Sequence, residues 1–67
     1  MNHEQIMARL DEIRDAAQDS NPVLAHELED ELYFDILIEI VSREVNDPRE
    51  LARLALLSKR ISFSRHG

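Results

Sequence analysis

Cysteine is missing from this 67-residue chain, which rules out disulfides and thiolate metal sites. Glycine occurs once, as Gly67, so there is no glycine-rich loop to cradle a phosphate or open a dinucleotide fold. Apolar runs are short, as in Ile36 to Ile38, against the roughly 20 residues of a membrane helix. The opening stretch MNHEQIMARL carries an acid and no apolar core, so no secretory signal and no membrane association are expected, and a cytoplasmic location is. Bases are scarce: 8 against 14 acids, for a net charge of −6.

The charges that are present are unevenly placed. All 14 acids lie in residues 1–50 with four arginines, giving that stretch −10. Residues 51–67 hold Arg53, Lys59, Arg60 and Arg65 without an acid, for +4. An acidic body with a basic tail invites contact between copies, or between the tail and an acidic surface. A chain of this size draws only about 3–5 kcal/mol from its core, and with disulfides closed to it, association is the ordinary way to add more.

Three helices are punctuated by their caps. Asn2 with Gln5 forms a capping-box pattern, and Ile6, Leu10, Ile13 and Ala17 follow on one stripe. Asp19-Ser20-Asn21-Pro22 then breaks the pattern, with Asn21 as N-cap and Pro22 at the first helical position. Asp47-Pro48-Arg49-Glu50 opens the third helix in the same way, and Leu51, Leu54, Ala55 and Ser58 share a face. The middle segment is apolar over most of its circumference, a pattern of packing on more than one side. A strand is its competing reading, because Phe34, Ile36, Ile38 and Ile40 alternate with Asp35, Leu37 and Glu39. Ile61 and Phe63 continue without helical period, as a mobile tail or as an extended strap.

These readings predict an all-α fold, a small antiparallel bundle of two to three helices with a long central helix, completed by homodimerisation. The helices fall at about 2–18, 22–45 and 48–59 in a domain of residues 1–60, followed by a basic tail at 61–67.

Catalytic and metal chemistry find little support. His26-Glu27 opens a zinc-helix pattern, but Asp30 stands where the second imidazole is needed, and His3-Glu4 meets Met7 at that place. No glutamate precedes a histidine by three residues, as a di-metal carboxylate bundle requires. No serine sits in a glycine-flanked elbow. The expectation is no enzyme activity, no catalytic or metal-binding residue and no cofactor.

Three nucleic-acid readings remain. The first is the basic tail from Ser58 to His66, which could touch nucleic acid with Phe63 stacking on a base. Such a tail is more often disordered or docked on acidic residues of its own kind. The second and third helices resemble a helix-turn-helix around Asn46-Asp47, with Arg49 and Arg53 on the would-be recognition helix. The acidic balance opposes phosphate binding, and the third helix is apolar on too many sides for a groove. Direct nucleic-acid binding is therefore not expected. Glu27, Glu29, Asp30, Glu31, Asp35 and Glu39 form an acidic band able to imitate duplex phosphates, or simply a hydrated face that includes the i,i+4 pair Glu39–Arg43.

What stands out is surplus binding surface. Between Tyr33 and Val41, seven of nine residues are large and apolar, and burying each is worth about 1.5–3 kcal/mol. Tyr33, Phe34, Leu37, Ile38 and Val41 are the expected interface with a second copy. Glu27, Asp30, Glu31, Lys59, Arg60 and Arg65 are expected to face another protein. The functional expectation is a non-catalytic interaction protein, a regulator, adaptor or inhibitor, with nucleic-acid mimicry as the alternative.

Overall fold

The computed structural model describes residues 1–42 and 47–65. Three α-helices, α1 (His3–Gln18), α2 (Pro22–Ser42) and α3 (Pro48–Leu56), are followed by a 3-10 turn over Leu57–Arg60. No strand occurs among the described residues. The chain is a small all-α bundle, and the alternating segment Phe34 to Ile40 lies wholly within α2. Continuation of the second helix to Val45, the pair Glu39–Arg43 and the Asn46 turn fall outside the described residues.

The helix starts follow local chemistry. Asn2 accepts from the Gln5 N–H at 2.8 Å, and the Gln5 side chain accepts from the Asn2 N–H at 2.9 Å, closing the capping box. Asn21 Oδ1 accepts from the Leu24 N–H at 3.2 Å, and Asp47 Oδ1 from the Glu50 N–H at 3.0 Å. The Glu50 carboxylate accepts from Arg53, whose Nε donates to it at 2.9 Å.

The α1–α2 turn shows what the shortage of glycine costs. The Asn21 N–H bonds the Ala16 carbonyl at 2.9 Å, and the Ser20 N–H bonds that of Ala17 at 3.2 Å. This is the Schellman closure of a helix end, which requires a left-handed residue and usually takes glycine. Ser20 fills the position at φ 57°. Ser20→Gly should therefore stabilise the fold by about 0.5–1 kcal/mol, read as a rise in the urea midpoint at unchanged slope.

That tight turn lays α2 antiparallel on α1. The Met1 amino group meets Glu39 near the far end of α2, and Arg9 Nη1 lies 3.0 Å from Asp35 Oδ2. Ile6, Leu10, Ile13 and Ala16 from α1 pack with Ala25, Leu32 and Ile36 from α2, and with Leu54, Ala55 and Ile61. The inner stripe of α1 ends on Ala16, with Ala17 only half-buried. The 21 residues of α2 span about 32 Å and set the 37 Å long dimension of the molecule. α3 packs against both longer helices, and the chain then continues through Ile61, which is extended, to Arg65 without regular secondary structure.

Candidate functional site

The inner face of α2 reads Ala25, Glu29, Leu32, Ile36, all buried and spaced 4, 3 and 4 apart. At 100° per residue, the opposite face carries Val23, Glu27, Asp30, Phe34, Leu37 and Val41, flanked by Glu31 and Ile38. Beyond Val23, which is 68% exposed at the start of the helix, this outward face divides along its length. Phe34, Leu37, Ile38 and Val41, in the second half, are exposed by 64, 61, 47 and 83%. Glu27, Asp30 and Glu31, in the first half, are exposed carboxylates. An open hollow between Asp30, Glu31, Phe34 and Asp35 joins the two halves.

Four of the five residues expected at an interface thus share one exposed patch. Tyr33 does not belong to it: it is half-buried, and its hydroxyl is hydrogen-bonded to Ser58 Oγ. The acidic band is also narrower than its sequence. Asp35 is paired with Arg9, and Glu39 with the Met1 amino group.

Glu29 corrects the sequence reading outright. Expected on a hydrated face, it is 2% exposed and sits at the centre of a polar cluster. Ser58 Oγ donates to Glu29 Oε2 at 2.7 Å, and with that proton committed, the Tyr33 hydroxyl is the donor to Ser58. Arg65 closes a two-pronged pair, Nε to Oε1 and Nη2 to Oε2, both at 3.0 Å. Its Nη2 also donates to the carbonyls of Ser58 at 3.0 Å and Ile61 at 3.1 Å. Lys59 Nζ lies 3.5 Å from Glu29 Oε1. The Arg65 guanidinium stacks on the Phe63 ring, 3.9 Å from its centroid. Among the described residues, no buried side-chain polar atom lacks a partner.

The electrostatics follow from this geometry. Burial pushes the Glu29 carboxyl up, but the hydrogen bonds from Arg65 and Ser58, with the charges of Arg65 and Lys59, outweigh it and hold the pKa below the ordinary glutamate value. The hydrogen bond to Glu29 raises the pKa of Arg65 against its own desolvation.

Residues 61–65 are therefore a strap fastened to α2 of the same chain. Of the cations expected to face a partner, Lys59 and Arg60 are exposed, while Arg65 is turned inward on Glu29. His26 Nδ1 lies 3.6 Å from Asp30 Oδ2, and no group of three or more potential metal ligands occurs among the described residues. No described helix is long and apolar enough to cross a membrane.

Comparison of the chain with protein-family models, with curated proteins and with solved structures gave no significant match.

Proposed function

We propose that this protein is a non-catalytic interaction module, a regulator, adaptor or inhibitor that works by docking through the outward face of α2. The observation that carries the reading is the division of that face into a cluster of four exposed large apolar side chains and a cluster of three exposed carboxylates. Exposed apolar residues scattered singly are ordinary, whereas a contiguous patch rimmed by charge marks a contact surface. The polar residues of the interior serve the fold: the buried Glu29 and Ser58 are satisfied by each other and by the half-buried Arg65. The three carboxylates suit a partner presenting lysine or arginine.

The test is affinity capture from a source lysate with the intact chain and with the triple variant Glu27→Lys/Asp30→Lys/Glu31→Lys. These side chains are exposed, so helicity should be unchanged. A protein held by the wild type at physiological salt and released by the variant is the expected result. An identical or empty set of captured proteins would overturn the reading. Recovery confined to nucleic-acid-handling proteins, abolished by moderate salt, would replace it with phosphate mimicry.

A further inference from the structure

Resting on the reading of α2 as a docking face, we propose that the occupant of its apolar half is a second copy of this chain, crossing antiparallel, with the two-fold axis near Leu37 and Ile38. The patch is a ridge along one helix, and the hollow that adjoins it at Phe34 is otherwise lined by the carboxylates Asp30, Glu31 and Asp35. A ridge of large side chains spaced 3 and 4 apart is complementary to another of its kind.

The area fits a reversible pair. With about 200 Å² for a large apolar residue, the exposed fractions of Phe34, Leu37, Ile38 and Val41 leave about 500 Å² per copy. Two copies bury about 1,000 Å², the lower edge of specific interfaces, which implies a dimer that dissociates on dilution.

Charge decides the direction. In a parallel pair, Glu27, Asp30 and Glu31 of both copies would face each other across helix axes about 8–10 Å apart. In the antiparallel pair, each acidic cluster lies about 12 Å from the axis along its own helix, on opposite sides, so the two stand about 25 Å apart. That separation is roughly three Debye lengths at physiological salt, where the repulsion is screened away. The apolar halves overlap in full, and the two acidic halves lie at opposite ends of the seam, outside the apolar overlap.

The absence of native cysteine provides a clean background for the test. Phe34→Cys and Val41→Cys chains are oxidised separately and as a mixture, with Val23→Cys as a third probe. An axis between Leu37 and Ile38 sets position 34 of one copy opposite position 41 of the other. The antiparallel pair should therefore yield a disulfide-linked product mainly in the mixture, and little from either variant alone. Efficient crosslinking of each variant with itself, Val23→Cys included, means a parallel pair and overturns the proposal. Sedimentation equilibrium of the unaltered chain should show a monomer–dimer exchange, weakened at least about tenfold by Val41→Asp. Val41 is 83% exposed, and circular dichroism checks that this variant keeps its helices. A chain that stays monomeric at every concentration overturns self-pairing. The docking reading falls separately, by failure of the capture experiment.

Discussion

Arg65→Ala should cost the fold about 2–3 kcal/mol, because it strips a buried carboxylate of its two-pronged partner. The expected loss takes much of the roughly 3–5 kcal/mol available to a domain of this size. Arg65→Lys should recover little, since one ammonium cannot reproduce paired Nε and Nη2 contacts to Glu29 together with those to the Ser58 and Ile61 carbonyls. Glu29→Leu in the Arg65→Ala background should regain part of the loss, because an apolar side chain needs no counter-charge there. The same cluster sets an acid response. A carboxyl whose pKa is depressed in the folded state adds stability that is fully present above its unfolded value, about 4.3. That stability is lost as pH falls through the lower folded value. Thermal melts from neutral pH to about pH 3 should show this loss in the wild type and a flattened dependence in Arg65→Ala. Equal melting of the two chains at neutral pH would show that the strap does not support the fold.

Leu32→Ala should cost about 3 kcal/mol, leaving little stability, while Leu37→Ala on a dilute chain should change it by no more than about 0.5 kcal/mol. The two leucines lie five residues apart on α2, one fully buried and the other 61% exposed. Urea titrations at low protein concentration measure the difference. Repeating them at high concentration should bring out a penalty for Leu37→Ala alone, since only that side chain belongs to the proposed seam. Comparable losses at low concentration would mean that the outward face is packed within a single chain.

Much of the fold was legible because its determinants are local. Asn2 with Gln5, Asn21 before Pro22, and Asp47 before Pro48 each act within one helical turn, and each places its helix start where the structure has it. The excess of apolar residues between Tyr33 and Val41 pointed to an unburied face, and Phe34, Leu37, Ile38 and Val41 are indeed exposed. The strand alternative failed because a segment flanked by uninterrupted helix formers continues the helix, and no partner strand exists among the described residues.

The buried cluster was not legible, and the reason is distance along the chain. Glu29 stands among Glu27, Asp30 and Glu31, and nothing local separates it from those hydrated neighbours. Its partners, Ser58 and Arg65, lie 29 and 36 residues away. The one usable signal was its register: Glu29 falls on the 4, 3, 4 stripe with Ala25, Leu32 and Ile36, which the other three acids do not share. Tyr33 was drawn to the interface by its apolar ring, whereas its hydroxyl is what fixes it beside Ser58.

The span between Glu29 and Arg65 also orders the folding of the molecule. The α1–α2 hairpin closes through a three-residue connection and gains contacts with little loss of chain entropy. The strap must close a loop of 36 residues before its salt link repays the search. The hairpin is thus expected to form first and the strap to close last, so hydrogen exchange should find the least protected amides of the described residues at the strap end; equal protection of strap and hairpin would refute this order.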